Sequence, residues 1–322
     1  MRSLRWLGLL GLYVGAQAVG LALANPFRSE GFSSTSNPQS PTAPLFLIIV
    51  IVVAPLFILF FARKQGGLAA LRQFILVAIA GALYLTLYAT FSLLPPGTVL
   101  LPPYAAEIVL DPALPLAALV SASLYLALLV EPQWYLVDLV GFLAAGSLIA
   151  ILGISFGILP AFILLIALMA YDAIAVYRTK HMVSLADAVT EMKLPILMVM
   201  PDSPSYDYPR APTLAEQRRQ PTEERSALFM GLGDVVIPGT LVVSAFVWLP
   251  SSPGFLGLGA NFWAALGALV GSLVGYAVLM RLVLKGNPQA GLPLLNGGAI
   301  VGYALVYLLL FHSWTLGLTG AL

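Results

Sequence analysis

Residues 227–240 read ALFMGLGDVVIPGT. Asp234 stands in an otherwise apolar run with no lysine or arginine beside it, and Gly231 and Gly233 precede it. Inside a bilayer an ionised carboxylate costs about 3 kcal/mol or more. Whether this run is a membrane span depends on the rest of the chain. The 322 residues are 60% hydrophobic and 9% charged, with a mean hydropathy of +0.96. A soluble domain carries about 25% charged residues, so water cannot solvate this surface and the class is a polytopic membrane protein. The net charge of +1 gives no reason to expect a nucleic-acid partner. The absence of cysteine excludes disulfides, thiolate metal sites and cysteine nucleophiles. The two histidines, His181 and His312, lie far apart in sequence, which argues against an imidazole metal site or triad. No cofactor and no metal are expected.

Nine apolar segments follow from the hydropathy pattern: 4–24, 43–62, 74–94, 113–130, 134–153, 157–177, 227–249, 261–284 and 291–312. Each is long enough to cross ~30 Å of hydrocarbon as a helix. The fifth and sixth are separated only by the uncharged GISFGILP. With the N-terminus in the cytoplasm, every Lys and Arg except Arg28 falls on the inside, as the positive-inside rule asks. The expectation is an all-α integral membrane protein with nine transmembrane helices, N-terminus cytoplasmic and C-terminus external. RSLRWLG resembles the basic start of a signal peptide, and Ala22-Leu23-Ala24 a cleavage site, but the apolar run exceeds a typical h-region. A retained first helix is therefore preferred.

The chain divides into 1–177 with helices one to six, a cytoplasmic loop at 178–226, and 227–322 with helices seven to nine. In the loop, Ser184 and Asp187 make a capping-box pattern that predicts a helix over 184–192. LPILMVM at 194–200 is a short strand or a surface-lying segment. The Pro-rich, polar stretch 201–226 cannot bury a core and reads as a mobile linker.

Most acidic residues lie in loops or near span ends. Asp138, near the start of span five, is read as snorkelling or accepting a hydrogen bond. Two others differ. Asp172 lies six residues before Arg178, roughly 9 Å inside the cytoplasmic boundary. Asp234 lies nine residues after Arg225, roughly 13 Å in if the segment is helical throughout. Spans six and seven run in opposite directions, so the topology allows the carboxylates to face each other. Two carboxylates in one site do not both ionise easily, so one holds a proton. The charged one can take a proton from water while the protonated one polarises a peptide carbonyl. The same residues can instead bind a cation, relay protons in a transporter or bond a neighbouring helix, and the residues alone leave these classes open. Gly231 and Gly233 leave room for substrate backbone beside Asp234.

Tyr171-Asp172 in span six and Gly231-Leu232-Gly233-Asp234 in span seven resemble the motifs of the GxGD intramembrane aspartyl proteases, the presenilins and signal peptide peptidases. YDAIAVYRTKHM and GLGDVVIPG look most like an archaeal presenilin homologue. The resemblance implies a presenilin-like bundle of nine spans, with Asp172 and Asp234 catalytic and Tyr171, Gly231, Leu232 and Gly233 against substrate. The family's third motif is Pro-Ala-Leu at the start of span nine. The literal Pro112-Ala113-Leu114 opens span four on the wrong side, so the positional match is Pro293-Leu294-Leu295, with Leu294 in place of the alanine. By resemblance this turn borders the site and helps to hold substrate; on its own Pro293 is a helix-starting proline.

The resulting expectation is a multi-pass cell-membrane protein that hydrolyses peptide bonds within transmembrane segments of membrane-protein substrates. Strand addition from LPILMVM or the Pro293 turn would hold the unwound substrate. The alternative is a proton-coupled transporter or ion leak using the same aspartates; a prepilin-peptidase-like protease is disfavoured by the nine spans. Partners are the bilayer and a transmembrane peptide or protein, with homo-oligomer formation left open. Gly267, Gly271 and Gly275 in span eight and Gly298 and Gly302 in span nine suit close internal helix packing, or the seating of a substrate or second subunit.

Overall fold

The computed structural model describes residues 5–62, 66–93, 113–178, 190, 192–212, 216, 226–285 and 289–318. Among these are nine α-helices, one for each apolar segment. They are α1 (Arg5–Ser29), α2 (Leu45–Ala62), α3 (Gly67–Phe91), α4 (Ala113–Val130), α5 (Trp134–Ser155), α6 (Ile158–Ala173), α7 (Leu232–Trp248), α8 (Ala260–Val283) and α9 (Leu292–Phe311). A π-helical turn, Ile174–Arg178, continues α6. Seven of the spans are long and apolar enough to cross a membrane by themselves; Leu45–Pro55 of α2 and the whole of α7 are shorter apolar helices. The outer face is apolar too, with Phe46, Ile49, Phe74, Leu119 and Val274 all exposed, as a lipid solvent requires.

Span seven departs from a continuous helix. Its first residues form β2 (Ala227–Gly231), paired antiparallel with β1 (Leu197–Pro201), and α7 starts only at Leu232. The helical rise therefore does not measure the depth of Asp234, which stands in the first turn of α7. LPILMVM does supply a strand. The linker expectation needs correcting over 202–212, where Tyr208 is fully buried among Val137, Val199 and Ala227. Lys193 lies over its ring at 4.7 Å and donates to the Ala211 carbonyl at 3.0 Å. Burial lowers the pKa of this ammonium, against the opposing pull of the Glu216 and Asp207 carboxylates. Residues 213–215 and 217–225, and most of the predicted helix 184–192 with His181, lie outside the described residues.

Lipid tails are as apolar as leucine, so helices in a bilayer associate through close packing rather than water exclusion. Glycine supplies that closeness here. Gly20 of α1 lies against Ile149 and the Gly146 carbonyl of α5, and Gly146 lies against Val19 and the Ala16 carbonyl. The stripes of α8 and α9 face each other: a Cβ on Gly267, Gly271 or Gly275 would fall on the carbonyl of Gly302, Gly298 or Leu294. At the far end of the bundle, Gly157 donates to the Pro38 carbonyl and Ser34 N–H to Ser155 Oγ, so the α1–α2 loop covers the α5–α6 turn. At the end that carries the hairpin, Arg5 of α1 pairs with Asp202 at 2.7 Å.

Backbone cannot rotate away as a side chain can, so Gly271→Ala is expected to lower stability in detergent by about 1–3 kcal/mol. Gly81→Ala in α3 meets nothing within 4 Å and is expected to be neutral or to stabilise by about 0.5–1 kcal/mol. Thermal unfolding of both variants checks the contrast; equal melting curves would show that backbone contact does not set the α8–α9 spacing.

Candidate active site

Asp172 is the last residue but one of α6 and is 6% exposed. Asp234 is the third residue of α7 and is partly buried. What brings them together is the start of α9. A helix leaves its first N–H groups without intrahelical partners. One of these, the N–H of Leu292, donates to Asp172 Oδ2 at 3.0 Å. The preceding residue, Gly291, faces Asp234: a Cβ there would lie 2.9 Å from Oδ1, 3.1 Å from Cγ and 3.2 Å from Oδ2. Both carboxylates thus adjoin one peptide unit, which bounds their nearest oxygens to within about 9 Å of each other.

Gly291 has φ −79° and ψ −48°, ordinary for any residue. Its lack of a side chain is therefore explained by the space Asp234 needs, not by backbone conformation. Pro293 follows within the first turn of α9, where its missing N–H sacrifices no intrahelical bond. It starts the helix and leaves the Leu292 donor for Asp172. The N-terminal ends of α7 and α9 both adjoin the pair, and helix N-termini favour negative charge. Further along α9, the buried Asn296 donates from Nδ2 to the Leu165 carbonyl at 3.1 Å, tying α9 to the helix that carries Asp172.

The other expected residues divide by contact. Gly233 is exposed and a Cβ on it would meet nothing within 4 Å; one on Gly231 would meet only Asp234 Oδ2, at 3.6 Å. These two leave space beside Asp234. Leu232 is 8% exposed and turns inward toward Gly141 of α5. Tyr171 is partly buried next to Asp172. Leu294 is partly buried, with its carbonyl against Gly275. Leu295 is fully buried in the core with Tyr276 and Leu279, so its surroundings are packing rather than open site.

Asp138 has a definite partner: its Oδ1 accepts the Val199 N–H at 2.7 Å, in a buried contact. This occupies the edge of β1 that faces away from β2. In an antiparallel ladder, N–H and C=O groups of alternate residues point to opposite edges. Leu232 N–H donates to Ile196 and Asp202 N–H to Ser226, so Ile196, Met198 and Met200 pair inward while Val199 points outward, onto Asp138. On β2, opposite Leu197, Val199 and Pro201, the residues whose backbone points away from β1 are Gly231, Phe229 and Ala227. Gly291, Ala227 and Phe229 were not among the residues expected from sequence, and Gly231 was expected without its strand edge. An unneeded φ and a two-residue alternation inside a nominal helix leave no signal without the partner in view.

A family model for "Signal-peptide peptidase, presenilin aspartyl protease" matches residues 10–312. Among solved structures, a presenilin family intramembrane aspartate protease in a C222 crystal form is 32% identical, with 94% of this chain and 99% of that chain covered and a TM-score of 0.62. The same description in a P2 form gives 32% identity, 94% and 97% coverage and a TM-score of 0.59. No curated protein matches this chain.

Proposed function

This chain belongs to the signal-peptide peptidase and presenilin aspartyl protease family, and we propose that Asp172 and Asp234 are its catalytic pair. It is an intramembrane aspartyl protease and a multi-pass membrane protein, acting on membrane-embedded substrates. The transporter reading draws no support from these relatives. The observation that carries the assignment of the pair is the approach of both carboxylates to Gly291–Leu292, Asp172 by a hydrogen bond and Asp234 into the space a Gly291 side chain would fill.

In the proposed reaction, a water lies between the carboxylates. The ionised one takes its proton as the oxygen attacks the scissile carbonyl, and the protonated one hydrogen-bonds the carbonyl oxygen. A tetrahedral gem-diol forms as that carboxyl gives its proton to the carbonyl oxygen. The carboxyl that took the water proton then protonates the leaving amide nitrogen, the other takes a proton back from a gem-diol hydroxyl, the C–N bond breaks, and the pair again holds a single proton. The Leu292 N–H occupies one oxygen of Asp172 throughout and orients the carboxylate. Which aspartate starts protonated belongs to the coupled pair rather than to either residue.

A transmembrane substrate hides its carbonyls in helical hydrogen bonds and must be extended before it is cut. In lipid the released backbone groups need new partners. The outward edge of β2 supplies them: an added strand would pair with Ala227, Phe229 and Gly231 and run toward Asp234, three residues further on. The edge of β1 is less suited because Asp138 holds Val199. The empty space beside Gly233 then receives the substrate backbone. Orientation with the site opening to the cytoplasm rests on the Lys and Arg distribution. The polar end that would admit water carries the hairpin and Arg5.

Asp172→Asn and Asp234→Asn are expected each to reduce cleavage of a transmembrane peptide by about a thousandfold, the scale of a lost acid–base group. Near-normal turnover by either purified variant would sink the pair.

Gly231 has φ −67° and ψ 140°, values that proline adopts without strain. Gly231→Ala adds a Cβ and keeps the N–H; Gly231→Pro also removes it. If β2 pairs with substrate, the proline variant should fall a further threefold to tenfold below the alanine variant in kcat/KM, the value of one hydrogen bond. Equal kcat/KM in the two variants would exclude pairing at this N–H.

Gly233→Ala should melt no lower than the parent, since alanine favours a helix, yet cleave more slowly. Unchanged turnover would mean that substrate does not use this space.

A further inference from the structure

Asp172 and Tyr177 are five residues apart. In a regular α-helix that spacing turns the chain through about 140° past a full circle, so the two side chains leave on different faces. The end of α6 is not regular: Ile174–Arg178 form a π-helical turn. There the hydrogen bonds run between residues five apart, which brings such residues close to one face. Single π turns occur often at functional sites.

Both side chains accordingly meet the same piece of backbone. Tyr177 Oη donates to Gln289 Oε1 at 3.0 Å and accepts the N–H of Ala290 at 3.3 Å. Two residues later the N–H of Leu292 reaches Asp172 Oδ2 at 3.0 Å. Between these attachments lies Gly291, the residue that faces Asp234. The hydroxyl has one proton and accepts as well, so these two contacts use it in both senses. Ala290 is 1% exposed, whereas Tyr177 is 56% exposed.

We propose that Tyr177 is a positioning residue: its hydroxyl holds Gln289 and Ala290, and thereby sets where Gly291 and the Leu292 N–H stand between the two carboxylates. The inference rests on the assignment of Asp172 and Asp234 as the catalytic pair. α6 thus grips the entrance of α9 at two points, one through the carboxylate and one through the phenol. The π turn is what brings both to the same segment. A tyrosine at the end of a membrane span also has a plainer use, as an amphipathic anchor at the lipid–water boundary. That use asks nothing of the Ala290 N–H and is met equally well by tryptophan. The buried Ala290 amide, bonded to a side chain from another helix, is what favours the positioning role.

The test uses full-length protein in liposomes with a transmembrane peptide substrate. It compares Tyr177→Phe, Tyr177→Trp, Gln289→Ala and the double variant Tyr177→Phe/Gln289→Ala, with Asp172→Asn alongside. Tyr177→Phe is expected to lower kcat roughly threefold to tenfold, the value of a lost hydrogen bond, and to leave KM unchanged. Tryptophan should not rescue. The double variant should be no worse than Tyr177→Phe, because the two residues act through one contact. Hydrogen–deuterium exchange supplies a readout independent of turnover: the amides of Ala290 and Leu292 should exchange faster in Tyr177→Phe. Unchanged kcat and unchanged exchange in that variant, with Asp172→Asn inactive, would overturn the positioning role and leave the catalytic pair standing. Full rescue by tryptophan would overturn it in favour of anchoring. Cleavage by Asp172→Asn would remove the pair and the proposal with it.

Discussion

A carboxylate buried within a membrane bundle needs hydrogen-bond donors, and the start of α9 supplies Asp172 with the N–H of Leu292. Much of the bundle can be read as what puts that donor in place. It exists because a helix start leaves amides unpaired. Its position along the bundle depends on how α9 docks on α8, and there glycine backbones meet with no side chain between them. Its position toward α6 depends on Asn296, which bonds the Leu165 carbonyl two turns before Asp172. Packing far from the carboxylates therefore acts on them through one rigid helix. Glycine stripes, which in isolation suggest only helix association, here set a distance at the site.

The strand-to-helix change at Gly231–Leu232 answers a second constraint. A helix entering the membrane keeps its backbone groups to itself, so it cannot take hold of an unwound peptide. A strand can, but only if one edge is open. β1 pairs with the inner edge of β2, Asp138 holds the outward Val199 N–H of β1, and the outer edge of β2 leads directly into the first turn that carries Asp234. The same short segment thus changes from a form that offers hydrogen bonds to one that retains them. α7, at 17 residues, can be shorter than the 24-residue α8 because β2 precedes it in the same span.

The parts legible in the sequence were those that depend on composition or on residues close together. Lipid demands long apolar runs, so the nine helices could be counted, and the two aspartates stood out because charge is rare in such runs. Tyr208 was hidden for the opposite reason. Its proline-rich surroundings read as linker, yet the ring packs on the outer face of the hairpin, and a sequence window contains no trace of that partner. The first five residues of span seven are as apolar as a helix and show no two-residue alternation, because β2 is partly covered on both faces. Gly291 carried the least signal of all. Glycine is usually recognised by a turn it permits, but this one has helical angles and is explained only by a carboxylate from a helix more than fifty residues earlier.

Leu294 stands in a turn held by contacts of the backbone. By resemblance, the family's motif has an alanine at this place, and leucine is the larger side chain. The contacts that fix the start of α9 are nevertheless backbone contacts: the Leu292 N–H on Asp172, the Leu294 carbonyl against Gly275, and the Leu294 and Leu295 amides on the Gly291 carbonyl. None of them uses the side chain of residue 294. That side chain instead packs, partly buried, against the core cluster that contains Leu295 and Tyr276. Pro293 and Gly291 are different, since one fixes where the helix begins and the other leaves room for Asp234. A change at 294 adds packing beside the turn, whereas a change at 291 would act on the carboxylate itself. The turn is therefore more tightly constrained at its glycine than at the middle residue of the motif.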